Sequence, residues 1–100
     1  MPALEINISR AALREFCERN HIRRLALFGS VLREDFGSAS DIDVLVEFDP
    51  DHIPGLEFFT MQEELSELFG RPVDLNTPAS LSRYFRDEVL REAEVLYAAP

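Results

Sequence analysis

Positive charge is scarce in this chain. Ten arginine and lysine residues stand against nineteen aspartates and glutamates, leaving a formal charge of −9 over 100 residues. Proteins that hold long nucleic acids draw most of their affinity from basic side chains neutralising phosphate. Stable DNA binding by this chain alone is therefore not expected; a basic protein partner, or a small nucleotide arriving with its metal, suits it better. Cysteine is almost absent: Cys17 is the only one, which rules out an intrachain disulfide and a thiolate zinc site. Cys17 falls beside Phe16 in an amphipathic pattern and reads as a buried structural thiol. No segment approaches the roughly 18 apolar residues of a membrane span. The opening MPALEINISR has neither a basic start nor an apolar run, so a cytoplasmic location and no membrane partner are expected. Repeats, low-complexity tracts and linkers are missing too. What remains, 46% hydrophobic residues with eight phenylalanines, is the composition of a globular chain, and its length predicts one domain over residues 1–100.

Hydrophobic periodicity divides the chain into alternating helices and strands. Ser9 caps a helix running to about Arg19, with Ala12, Leu13, Phe16 and Cys17 on its apolar face. A strand follows over 23–28, then a Gly29-Ser30 turn into a short helix over 31–35. Gly37, Ser38 and Ser40 form a loop before a second strand, 41–48. Beyond the breakers Pro50, Pro54 and Gly55, a helix is predicted over about 56–69, with Phe58, Met61, Leu65 and Leu68 at helical spacing and Gly70 as its stop. The third strand spans 71–76, a last helix about 80–92, and EVLY makes a short edge strand. In that helix Tyr84, Phe85, Val89 and Leu90 read as core. Arg83, Arg86 and Arg91, alternating with Asp87, Glu88, Glu92 and Glu94, read as a solvated, salt-bridged face. The order implies one layered α/β or α+β domain, a sheet with helices packed against it.

The chemistry concentrates in LALFGSVLREDFGSASDIDVLVEFD. Asp41 and Asp43 stand at i and i+2 of a strand, so both side chains point to one side of the sheet while Ile42, Val44 and Val46 point to the other. Like charges about 6–7 Å apart along a strand repel, and a fold that holds them there usually has a cation between them. The neighbouring Gly29-Ser30 turn offers backbone N–H groups to phosphate. Phosphate beside paired carboxylates points to Mg²⁺ and a nucleotide. Two such carboxylates can bridge two ions. Asp74 on the later strand alternates to the same face if the strands are neighbours, which makes it the natural third ligand.

This layout, G-S, ten residues, then D-x-D, resembles the signature of the nucleotidyltransferase superfamily of DNA polymerase beta. More closely, the chain resembles the minimal nucleotidyltransferases, the MNT antitoxins encoded beside HEPN toxins. Arg33 and Asp35 after the turn, Ser40 just before the first carboxylate, and PVDLNT with Asp74 add to the likeness, which extends from about Leu13 to Tyr97. By chance, G-S-x10-D-x-D in a chain this long is on the order of one in a thousand. The resemblance implies an α+β fold with a mixed sheet, and an Mg²⁺-dependent enzyme with Asp41, Asp43 and Asp74 as metal-binding catalytic carboxylates. Asp74 would help to deprotonate the acceptor hydroxyl. Gly29, Ser30, Arg33 and Ser40 would serve the nucleotide: Gly29 by close backbone approach, Ser30 by its hydroxyl and N–H. Arg33 can reach a phosphate or pair with Glu34 or Asp35 instead, and Ser40 orients the loop.

The implied reaction is transfer of AMP from ATP to a hydroxyl of a cognate HEPN ribonuclease toxin, a tyrosine, as the antitoxin of a type VII toxin–antitoxin system. A chain of this length leaves no room for the extra helical domains of larger relatives, so another macromolecule must present the acceptor. Two other readings stay open: an antitoxin that neutralises by contact alone, and a nucleotidyltransferase acting on a small-molecule or RNA hydroxyl. His21 and His52 have no metal-like partner at helical spacing and read as isolated surface histidines. Phe59, beside Phe58, is not obviously buried by the helical period and is a candidate for a partner surface.

Overall fold

The computed structural model describes residues 8–29 and 41–100. Helix α1, Arg10–Arg19, begins where the Ser9 hydroxyl accepts the Ala12 N–H at 3.2 Å, and it buries Leu13, Phe16 and Cys17. Asn20 ends it, its side-chain amide donating back to the Phe16 carbonyl at 2.9 Å. His21, in the left-handed region at φ 59°, then turns the chain into strand β1, Ile22–Phe28. Strand β2 is Ile42–Phe48. Helix α2, Glu57–Phe69, stops at Gly70, whose φ of 72° lets two N–H groups cap the Ser66 and Glu67 carbonyls. Strand β3 is Val73–Asn76, followed by a single 3₁₀ turn at Pro78–Ser80, helix α3 at Arg86–Glu92, and strand β4 at Glu94–Ala98. Each observed boundary from α1 to β3 lies within two residues of the expected one.

The sheet is mixed, as the α+β reading requires. Its order is β3-β2-β1-β4, with β2–β3 parallel and the pairs β1–β2 and β1–β4 antiparallel. β4 is the edge strand expected from EVLY. The parallel pair needs a crossover, and α2 supplies it. Both α1 and α2 lie on one face, where Phe16, Cys17, Met61 and Leu65 pack against Leu25, Leu27, Ile42, Val44 and Val46. Alternation turns Ala26 and Leu45 to the opposite face. They too are buried, as is Leu81, but outside that cluster. Cys17 is fully buried, and burial with Glu18 nearby pushes its thiol up to about 12, which makes it inert as a nucleophile at neutral pH.

The C-terminal helix departs from expectation. Helical geometry is confined to Arg86–Glu92, because Leu81 takes an extended conformation (ψ 147°) and Ser82 turns the chain by accepting the Tyr84 N–H at 3.2 Å. Leu81, just before this turn, is buried. Tyr84, Phe85 and Leu90, read from sequence as core, are 85%, 49% and 39% exposed, and Val89 is half-buried. A seven-residue helix is too short to bury a full apolar stripe. Nor does the arginine series form ion pairs among the described residues: Arg86 donates to the Leu81 carbonyl, and Arg83 lies against the Tyr84 ring.

Candidate active site

Asp43 occupies the second position of β2, where its neighbours are fixed by backbone pairing. It stands opposite Phe28 in β1 and in register with Asp74 in β3. Register partners on adjacent strands point their side chains to one face, and neighbouring strands lie about 4.8 Å apart. The two carboxylates are thus set side by side on the face opposite α1 and α2. Asp43 is half-buried and Asp74 exposed. The sequence condition on Asp74, that its strand neighbour that of Asp43, is met.

Gly29 backs directly onto this pair. Its φ is 77°, and a Cβ added there would collide with the Asp43 Oδ2, with Asp43 Cγ at 3.1 Å. The turn needs glycine twice over, for the left-handed backbone and for the approach of the carboxylate. Asp41 is exposed and precedes the first residue of β2; the Ile42 N–H donates to the Pro72 carbonyl at 2.9 Å, tying this end of β2 to the start of β3. Ser30, Arg33, Asp35, Ser40 and the expected short helix over 31–35 lie outside the described residues.

Among the described residues, no three His, Cys, Asp or Glu side chains gather closely enough to enclose an ion by themselves. Asp43 and Asp74 form a pair with Asp41 at its margin. That donor set suits Mg²⁺, which binds through one or two carboxylates and completes its octahedron with substrate phosphates and water.

Sequence reasoning overlooked what holds Asp74 in place. β3 is an edge strand of four residues, and its outward N–H groups at Val73 and Leu75 donate to Ser66 Oγ (3.0 Å) and Gln62 Oε1 (2.9 Å) of α2. Polar residues at i and i+4 on the sheet-facing side of an amphipathic helix were the available signal. The histidines were also misread as isolated. The rings of His21 and His52 stack at 3.8 Å and 10°, with Asp49 Oδ2 3.7 Å from His52 Nδ1. The Asp49 N–H, donating to the His21 carbonyl at 2.9 Å, brings the two turns together. Both histidines are nonetheless exposed, as expected.

A glycine turn pressed against one of two paired carboxylates is an arrangement suited to enzymes that handle polyphosphates. Residues 9–96 match the nucleotidyltransferase domain family, and the chain belongs to it. It is accordingly an enzyme that transfers nucleotides. It is 38% identical over 87 residues to the protein adenylyltransferase MntA of Thermococcus cleftensis, covering 86% of each chain. In fold it is similar to a toxin–antitoxin crystallised with AMP-PNP, with a TM-score of 0.71 and 20% identity, covering 92% of this chain and 75% of the other. It is also similar to a chain of the complex of a tri-AMPylated Shewanella oneidensis HEPN toxin with its MNT antitoxin. There the TM-score is 0.63 and the identity 21%, covering 90% of this chain and 70% of the other.

Proposed function

We propose that this chain is a single minimal nucleotidyltransferase domain that moves AMP from ATP to a tyrosine hydroxyl of a HEPN ribonuclease toxin, and so acts as its antitoxin. The observation that carries the reading is the side-by-side register of Asp43 and Asp74 against Gly29. The name of the adenylyltransferase relative, the AMP-PNP in one structural neighbour and the AMPylated HEPN toxin in another support the donor, the transferred group and the partner. A reaction that consumes ATP and protects against a ribonuclease fits a cytoplasmic location.

Asp41, Asp43 and Asp74 would hold Mg²⁺, two ions in the fullest form. When bound, the metal supplies electrostatic stabilisation for the charge that builds on the phosphates. Gly29 leaves room for the polyphosphate to approach the backbone, with Ser30 and Arg33 as further donors to it and Ser40 orienting the approach to Asp41. The acceptor oxygen attacks the α-phosphorus and forms a new P–O bond as the bond to the β-phosphate oxygen breaks. Pyrophosphate departs, and the hydroxyl proton passes to Asp74, whose exposure leaves it open to an incoming acceptor. Positioning and electrostatics do most of the work in such a reaction.

Intact-mass spectrometry tests this directly. HEPN partner co-expressed with the parent chain is expected to gain AMP, 329 Da being roughly the mass added per group (transfer of AMP with loss of pyrophosphate). Partner co-expressed with Asp41→Asn is expected to gain none. The modified partner should stay inactive as a ribonuclease after the antitoxin is removed. A partner whose mass never changes and which is silenced only while bound would replace the enzymatic reading with neutralisation by contact.

A further inference from the structure

We infer that the exposed apolar face at the start of α2, formed by Leu56 and Phe59, docks a basic amphipathic segment of the partner protein that carries the acceptor. This rests on the proposed function for the partner's identity but not for the surface itself. Leu56 and Phe59 are 84% and 64% exposed. Leu56 and Phe59, three residues apart at the helix start, share one face. The Phe59 ring is held edge-on by Phe58 (6.1 Å, 89°), which packs in turn on Phe48 (6.3 Å, 60°). An anchor already ordered loses little entropy on binding.

The charge around this face selects its occupant. From Glu47 to Phe69 the chain has seven carboxylates, at 47, 49, 51, 57, 63, 64 and 67, and no arginine or lysine. Glu47 and Glu64 pair with Arg24 and Arg19, and Asp49 lies near His52 and Arg23. A second copy would set the same carboxylates against these, and nucleic acid would be repelled by them. A protein surface that pairs apolar side chains with lysine or arginine satisfies both the apolar centre and the acidic rim. Tyr84, Phe85 and Leu90, also exposed, are interleaved with both arginines and carboxylates and make no such selection.

The location suits an anchoring role. α2 lies on the sheet face opposite Asp43 and Asp74 and follows the C-terminal end of β2, whereas Asp43 lies near its beginning, about 16 Å from Phe48 along the strand. A partner held there leaves the carboxylates open to its acceptor hydroxyl.

The test uses a HEPN-domain protein, the partner the proposed function names, titrated by calorimetry against the full chain and its variants. The Leu56→Asp/Phe59→Asp double variant is expected to raise Kd at least about thirtyfold, and the uncharged Leu56→Ala/Phe59→Ala pair about tenfold. Tyr84→Asp should stay within about twofold. Circular dichroism should match the parent throughout, since these side chains are exposed. For AMP transfer, the double variant should raise KM for the partner while leaving kcat near the parental value at saturation. Asp41→Asn should bind like the parent and transfer nothing. A parent that binds through this face yet transfers no AMP upholds the docking surface and ends the enzymatic reading. Unchanged affinity in both double variants overturns the inference, as does a parent that fails to bind. A self-associated free chain that the double variant dissociates, read by sedimentation velocity, would assign the face to a second copy instead.

Discussion

Gly29 illustrates how little freedom the site leaves to individual side chains. Its left-handed backbone costs any other L-residue about 1–2 kcal/mol, and a Cβ would also displace the Asp43 carboxylate. Gly29→Ala should therefore lower stability by at least about 1 kcal/mol in urea unfolding and reduce AMP transfer far more than that loss of stability explains. At the other end of β2, the half-buried Asp49 and the exposed Glu57 bear on the response to acid. The Asp51 N–H, donating at 2.9 Å, and secondarily His52, Arg23 and His21 hold Asp49 below its usual range. Backbone N–H groups at Glu57 itself and Gly55 do the same for Glu57. A carboxylate with a depressed folded pKa contributes stability that is fully present above its unfolded value and lost as pH falls through the folded one. Melting temperature should thus decline from roughly pH 5 downward, and the decline should be shallower in Asp49→Asn. An equal slope in parent and variant would assign the acid response to other groups.

Among the elements, β3 is the one whose placement matters most for its size. Four residues at a sheet edge would fray without cover, and α2 provides it through Gln62 and Ser66. Gln62→Leu keeps the side chain's bulk but removes the acceptor for the Leu75 N–H. It should cost about 1–3 kcal/mol, speed hydrogen exchange at Leu75, and weaken nucleotide binding through Asp74. α3 is the contrasting case. It buries no residue, so its sequence is constrained by solvent or by a partner rather than by the sheet.

For the molecule as a whole, the concentration of carboxylates links folding to ligand. Asp41, Asp43 and Asp74 are held on one framework, within a chain of charge −9. Mg²⁺ with ATP should raise the melting temperature more than either alone. A ligand bound only by the native state at a hundredfold excess over Kd stabilises it by about 2.7 kcal/mol. Asp43→Asn should show little of this joint shift. A parent melting curve unmoved by millimolar Mg-ATP would count against the nucleotide site.

Much of this molecule was legible along the chain. The Ser9 cap, the Gly70 stop and the period-two alternation of β2 are local signals, and local sterics and hydrogen bonding enforce them wherever they occur. The spacing of Gly29, Asp41 and Asp43 identified the family, because a short motif can be read without knowing what lies beside it. Other features depend on partners distant in sequence. Asp74 becomes the neighbour of Asp43 only because α2 returns the chain for a parallel β2–β3 pairing. His21 meets His52 only because Asp49 bonds across the turns. The same holds for the burial of Leu81 and the exposure of Tyr84, Phe85 and Leu90. Helical spacing identifies an apolar stripe but not whether a surface lies within reach to cover it.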